Sequence, residues 1–110
     1  MKSYLKNYSV RNKNIVVIGG TGLIGQEVCL VLSSLGANIS IFDVDKKKGK
    51  SLEKKIIKEG YNAKFYYFDC TKKSNIKKNL QRIFKNRNFP ETLINCSYPR
   101  TKDWKNSNFK

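Results

Sequence analysis

Short apolar runs alternate with longer amphipathic stretches along this chain. Four runs rich in β-branched and aromatic residues predict strands over residues 15–18, 39–43, 63–68 and 92–95. The stretches between them repeat apolar residues at helical spacing and predict helices over residues 23–35, 46–59 and 74–86. The order β-α-β-α-β-α-β therefore predicts an α/β fold.

The apolar residues of each predicted helix indicate the face that packs on the sheet. The first helix has a wide apolar face, so we expect it to be buried along most of its length; the face consists of Leu23, Ile24, Val28, Val31, Leu32 and Leu35. The second helix turns Leu52, Ile56 and Ile57 inward and covers its outer face with lysines. The third begins at Ser74 as N-cap and has an inward stripe of Ile76, Leu80, Ile83 and Phe84.

Helical connections of this length join parallel strands and cross over in the right-handed sense. The doubly wound solution places the strands in the order 3-2-1-4 and opens a crevice between strands one and four, where the order reverses. We therefore predict an incomplete Rossmann-like, doubly wound parallel sheet over residues 14–97, with a lead-in at 1–13 and a polar tail at 98–110. No later strand is predicted beside strand four, so its edge is expected to self-associate.

Residues 14–25 join the first strand to a glycine cluster that runs directly into a helix. Gly19, Gly22 and Gly25 have the spacing G-x-x-G-x-x-G, with Gly20 as an additional glycine. The first permits a tight turn, the second lets a pyrophosphate approach the backbone, and the third lets the helix pack close to the strand. The helix then turns its free N–H groups and its positive dipole end towards the phosphates. This context predicts a nucleotide site rather than an ordinary turn.

Asp43 ends the second predicted strand, where a carboxylate that bonds the adenosine ribose is expected. The alternative is a turn residue that caps the second helix, a role that Asp45 could fill instead. A carboxylate beside the ribose repels a 2′-phosphate and favours NAD. Lys46, Lys47 and Lys48 favour NADP, because a nearby cation could neutralise that phosphate. NAD leads on this electrostatic argument.

The formal net charge of +15 raises nucleic-acid binding as a hypothesis. The lysines lie on predicted helix faces and loops without regular aromatic interleaving, so we interpret them as solvated surface and do not expect a nucleic-acid partner. No apolar run approaches the ~20 residues of a membrane span, and the N-terminus has no signal-like core. We therefore expect a cytoplasmic protein without a membrane partner.

The chain has three cysteines and no histidine. Without a histidine or a close cysteine pair, neither a metal site nor a disulfide framework is expected. Cys29, Cys70 and Cys96 are predicted to be free thiols in a reducing cytosol.

Four segments resemble, in order, landmarks of the short-chain dehydrogenase/reductase family. Residues 19–25 are similar to its glycine motif, in the spacing of its extended members, and Asp43 matches its ribose-binding acid. Residues 69–71 resemble its Asp-x-Thr, whose Asp faces the adenine, and 95–97 stand where it has Asn-Asn-Ala-Gly. The resemblance covers about residues 8–103, which is the cofactor-binding half of the usual length. The residues that it implies for cofactor binding are Gly19, Gly20, Thr21, Gly22, Leu23, Ile24, Gly25, Asp43, Asp69, Cys70, Asn95, Cys96 and Ser97.

Two positions depart from the family's pattern. Ile18 replaces the Thr that usually precedes the first glycine, and Tyr98 stands where the family has Gly. A bulky Tyr beside the nicotinamide ribose would narrow the pocket or require a different turn. The heptapeptide at 98–104 also resembles a variant in oxidoreductases of flagellin-modification and surface-sugar clusters, which implies a sugar or sugar-nucleotide substrate.

The family's chemistry needs a Ser, a Tyr and a Lys four residues beyond the Tyr, where the Lys lowers the pKa of the Tyr. Tyr98 and Lys102 have that spacing, but they directly follow strand four, one strand and a long helix too early. Lys85 stands where the matching Ser would be. We therefore assign no catalytic residue to this chain.

The sequence leads to the hypothesis of a truncated, NAD(P)-binding portion of a short-chain oxidoreductase. Its parent reaction would be hydride transfer between nicotinamide and a carbonyl or alcohol of a small-molecule substrate. Two alternatives remain open: a non-catalytic nucleotide-binding or sensor module, and a basic nucleic-acid-binding protein.

Overall fold

The computed structural model describes residues 7–85 and 89–98. The strands are β1 (Asn14–Ile18), β2 (Asn38–Asp43), β3 (Asn62–Tyr67) and β4 (Thr92–Asn95), and the helices are α1 (Leu23–Ser34), α2 (Lys46–Lys58) and α3 (Lys73–Ile83). All strand pairs are parallel, in the order β3-β2-β1-β4. This confirms the predicted Rossmann-like topology. Residues 1–6 of the lead-in, residue 86 of the predicted third helix and residues 99–110 of the polar tail lie outside the described residues.

The sheet separates two apolar cores, because successive residues of β1 point to opposite faces. Ile15 and Val17 belong to the core under α1 and α2. Val16 belongs to the second core, to which the end of α3 contributes Ile83 and its C-cap residue Phe84. A central strand that is buried on both faces has a continuous apolar sequence, as β1 has over residues 15–18. No helix in the described ranges is long and apolar enough to cross a membrane.

The side of α1 that meets the sheet is made of small residues. Its buried members are Gly25, Cys29 and Ser33, one turn apart. They let the helix axis approach the strands closely, which leaves the large apolar residues on the flanks and outer surface. Leu23 is 85% exposed and Ile24 is 72% exposed. Val31 and Leu35 are also exposed, so the prediction that the wide apolar face would be buried was wrong for these four residues. It was correct for Val28 and Leu32, which are partly buried against the core.

Two smaller predictions about the helices were also wrong. Ile57 is 54% exposed, because it lies about 100° around α2 from the fully buried Ile56. Ser74 is not an N-cap, because α3 begins earlier and its N-cap is Lys72, whose side chain makes no cap hydrogen bond. A turn closed by the Asp69 carboxylate precedes Lys72 and starts the helix there.

The contact between α2 and β3 depends on two residues whose role the sequence did not suggest. A Cβ atom at Gly49 would overlap the ring of Phe65, so only glycine allows this approach. The Glu53 carboxylate accepts the Phe65 N–H at 2.6 Å. Since β3 is an edge of the described sheet, a side chain of α2 thereby covers part of that edge.

Three asparagines form a ladder across the beginnings of β1, β2 and β3. Asn14, Asn38 and Asn62 are register partners. The Asn38 amide donates to the Asn14 amide oxygen at 3.1 Å, and the Asn62 amide donates to that of Asn38 at 3.1 Å. The ladder links the three strands at equivalent positions, and it therefore opposes slippage of their register.

We expect Asn38→Ala to lower the free energy of unfolding by about 1–3 kcal/mol, because it removes both ladder hydrogen bonds. Asn62→Ala removes one of them and should cost roughly half as much. Urea denaturation of the two variants measures both values. An equal or larger effect at Asn62 would contradict the central place of Asn38 in the ladder.

Candidate functional site

Backbone hydrogen bonds connect the carboxyl ends of all four strands. Gly19 N–H donates to the Phe42 carbonyl at 2.8 Å, and Cys96 N–H donates to the Ile18 carbonyl at 2.8 Å. Phe68 N–H donates to the Asp43 carbonyl at 3.0 Å. The glycine segment therefore lies between the end of β2 and the end of β4, at the edge where parallel α/β sheets bind ligands.

Three glycines between the end of β1 and the first turn of α1 stand where a side chain has no room. Gly19 has φ +74°, and a Cβ there would lie 2.8 Å from Ser97 N. A Cβ on Gly20 would lie 2.8 Å from Ile41 Cγ2, and one on Gly25 would overlap the Gly19 carbonyl oxygen. The first turn of α1 thus packs directly on the backbone that leaves β1.

Gly22 differs from these three glycines because it faces open space. A Cβ there would meet only the Gly19 carbonyl oxygen, at an ordinary 3.4 Å. Gly22 is the N-cap of α1, with no side-chain cap hydrogen bond and no acidic residue in the first turn. Uncapped N–H groups at the positive end of a helix dipole suit a phosphate. The residues present therefore fit a pyrophosphate group.

Thr21 and Asp43 connect the glycine turn to the end of β2. Asp43 Oδ2 accepts the Thr21 N–H at 3.1 Å and the Thr21 hydroxyl at 2.7 Å. Asp43 Oδ1 accepts the N–H groups of Val44 at 2.7 Å and of Asp45 at 3.4 Å. Capping of α2 is performed by Asp45, which accepts the Lys48 N–H at 3.0 Å. Asp43 therefore binds the glycine turn and does not cap α2.

Two similar turns follow the outer strands. Asp69 Oδ1 accepts both the hydroxyl and the N–H of Thr71. The bond from the hydroxyl, and to a smaller extent the bond from the N–H, lowers the pKa of Asp69. Asn95 Oδ1 accepts the N–H and the hydroxyl of Ser97 in the same way. Although β3 and β4 are opposite edges, the segments after them meet where the Cys70 thiol lies 3.7 Å from Ser97 Oγ.

A cleft of about 1170 Å³ opens beside the glycine turn. One wall combines the start of α1 with the segment after β4, and the other is the side of α2 that carries Lys47, Lys48 and Lys55. The predicted site residues that line it are Thr21, Gly22, Leu23, Ile24, Asn95, Cys96 and Ser97. The other predicted site residues lie outside this lining: Gly19, Gly20, Gly25, Asp43, Asp69 and Cys70. The exposed Leu23 and Ile24 supply its apolar surface.

Cys29 lies beneath the turn and is fully buried. Burial, with a smaller contribution from Cys96, raises the pKa of the Cys29 thiol to about 12. Such a thiol is unreactive and fills space. In the described part of the chain, no three His, Cys, Asp or Glu side chains are placed to hold a metal ion.

Comparison with known proteins gives a match to the family model of short chain dehydrogenases over residues 13–97. A curated relative, alcohol dehydrogenase 1 of Ceratitis cosyra, is 38% identical over 92 residues. That match covers 79% of this chain and 34% of the relative. The chain therefore spans about a third of the length of this relative.

Solved structures give the same result for the fold. A candidate D-mannonate oxidoreductase of Haemophilus influenza with bound NAD superposes with a TM-score of 0.76 at 25% identity, covering 88% of this chain and 35% of that one. A metagenomic short-chain oxidoreductase in complex with NADP gives 0.71 at 24% identity, covering 77% and 38%. Because its identity is only 24%, this second structure shows similarity of fold alone.

The contrast between Gly25 and Gly22 can be tested by adding one methyl group to each. Gly25→Ala should lower the free energy of unfolding by about 1–3 kcal/mol, because the turn must shift to admit the Cβ atom. Gly22→Ala should cost less than about 1 kcal/mol, because its Cβ has room and alanine is only a poorer N-cap. Thermal denaturation measures both. Similar losses in the two variants would contradict the packing described for the turn.

Proposed function

The chain belongs to the short-chain dehydrogenase family, and from that premise we propose that it is the cofactor-binding portion of an NAD(P)-dependent oxidoreductase. The observation that carries the proposal is the uncapped start of α1 at Gly22, which follows a turn where Gly19 and Gly25 leave no space for side chains. An ordinary turn needs no opening at Gly22. A pyrophosphate does, because its oxygens must come close to backbone N–H groups.

The residues of the site divide by the part of the cofactor that they would hold. We assign the pyrophosphate to the glycine segment and the start of α1, the adenosine ribose to Asp43, and the adenine side to Asp69 and Cys70. Asn95, Cys96 and Ser97 would lie at the nicotinamide side, because they follow β4 across the crevice from the turn. When bound, the nicotinamide supplies or accepts a hydride.

We propose NAD as the preferred cofactor. Asp43 is held at the ribose side by four hydrogen bonds, so its charge would oppose a 2′-phosphate there. Among the lysines that could offset this charge, Lys46 has its Nζ 5.2 Å from the centre of the Tyr67 ring. Lys47 and Lys48 line the cleft and reduce the discrimination without removing it.

The chemical step requires residues beyond this set. Tyr98 lines the cleft and is 62% exposed, and its sequence partner Lys102 lies outside the described residues. Because the relatives are about three times longer than the matched region, we propose that the catalytic groups belong to the part that this chain does not cover. A carbonyl or alcohol would be the substrate. A sugar-type substrate has support from the resemblance of residues 98–104 and from the sugar acid named for the Haemophilus relative.

We also propose that β4 mediates self-association. Among the described strands it pairs only with β1, it carries no charge, and its Leu93 is 53% exposed. The described lysines are concentrated on α2 and α3, so a second copy of this basic chain meets least repulsion at β4. The free thiols Cys29, Cys70 and Cys96 support a reducing, cytoplasmic location.

Leu93→Lys should shift the chain from the associated state to the monomer, because it places a charge on the uncharged edge strand β4. Sedimentation velocity at several protein concentrations measures the shift. Lys54→Glu on the exposed side of α2 is the control, and it should leave the association unchanged. A wild-type chain that stays monomeric throughout would refute the association.

The cofactor assignment is tested by calorimetric titration of the purified chain with NAD and with NADP. We expect NAD to bind at least tenfold more tightly than NADP, with no turnover by this chain alone. Gly22→Asp should weaken NAD binding by tenfold or more, since its carboxylate would lie where the pyrophosphate approaches. Gly22→Asn, of equal size and without charge, separates repulsion from bulk and should lose less. Failure of the wild-type chain to bind either dinucleotide would overturn the proposal.

A further inference from the structure

The carboxylate of Asp43 is saturated by donors from its own chain. Each of its oxygens accepts two hydrogen bonds, Oδ2 from the N–H and hydroxyl of Thr21 and Oδ1 from the N–H groups of Val44 and Asp45. A carboxylate offers about four acceptor positions. A ribose hydroxyl that bonds Oδ2 must therefore displace one of the two donors that Thr21 supplies at 3.1 and 2.7 Å.

The four donors differ in their freedom to leave. Three are backbone N–H groups: Thr21 is held within the packed glycine turn, and Val44 and Asp45 lead directly into α2, which Asp45 caps. The fourth is the Thr21 hydroxyl, which a single rotation about its χ1 angle removes without any backbone movement. It is also chemically the same kind of donor as a ribose hydroxyl.

We propose that the Thr21 hydroxyl is an internal competitor for the ribose-binding position of Asp43. Binding then exchanges one hydroxyl for another on Oδ2, while the Thr21 N–H keeps the carboxylate in its orientation. This inference rests on the proposed function, because it assigns to Thr21 the regulation of that same site. Thr21 is a positioning residue here, and it limits the affinity of the site.

The competition gives Thr21 opposite effects on stability and on binding. Its hydroxyl forms a 2.7 Å hydrogen bond to a charged group and ties the glycine turn to β2, so its removal should lower the melting temperature. The same removal leaves an acceptor free for the ligand, so it should raise affinity. A residue that only supported the fold would lower both.

The experiment is calorimetric titration of NAD into the full chain and its Thr21 variants, with melting temperatures measured in parallel. Thr21→Val keeps the shape and removes the hydroxyl, and Thr21→Ala removes it without leaving a methyl group beside the carboxylate. We expect at least one of them to bind NAD about three- to tenfold more tightly, the range of one exchanged hydrogen bond. Thr21→Ser retains the hydroxyl and should stay within about twofold of the wild type.

A double-mutant cycle identifies the acceptor. In an Asp43→Ala background the substitutions at Thr21 should leave NAD affinity unchanged, because there is no carboxylate to compete for. If the wild type binds NAD and both hydroxyl-free variants bind it equally or more weakly, the inference is overturned and the proposed function stays intact. If neither the wild type nor any variant binds NAD, the proposed function fails and the inference fails with it.

Discussion

The close approach of α1 to the end of β1 is the constraint on which the rest of the site depends. The helix starts so near the strand that the Gly19 carbonyl oxygen occupies the place where residue 25 would carry a side chain. That approach brings the helix N-terminus over the sheet edge, next to Asp43 on one side and Ser97 on the other. Small residues at Cys29 and Ser33 continue it along the helix. A helix held farther from the sheet would turn its N–H groups away from this edge.

The fold was predictable because both of its signals are local. β-Branched runs such as 15–18 and helical spacing such as Ile76, Leu80 and Ile83 depend on the sequence nearby, and they gave the order and the topology correctly. The burial of α1 was not, because apolar content does not identify the packed face of this helix. What decides that face is the distance between helix and sheet, and here glycine, cysteine and serine set that distance.

The placement of the candidate site residues was predictable, and the hydrogen bonds between them were less so. The order of the strands places the glycine turn, Asp43 and Asn95 along one edge, and the structure has them there. The hydrogen bond from Thr21 to Asp43 spans 22 residues. Thr and Asp side chains often bond to backbone groups nearby in the chain, so no sequence pattern predicts this distant pair. The roles of Gly49 and Glu53 are equally invisible in the sequence, since their partner Phe65 belongs to another element.

The asparagine ladder also limits how the length of this chain can change. Asn14, Asn38 and Asn62 are 24 residues apart, so the first two strand–helix units have equal lengths and return the backbone to the same height. An inserted or deleted residue inside α1 or α2 would rotate the remainder of that helix by about 100° and misplace the next asparagine. Tolerated changes in length should therefore collect after β3, where no ladder residue follows. Insertions among natural variants of this chain would be confined by amide side chains at the end of the sheet remote from the candidate site.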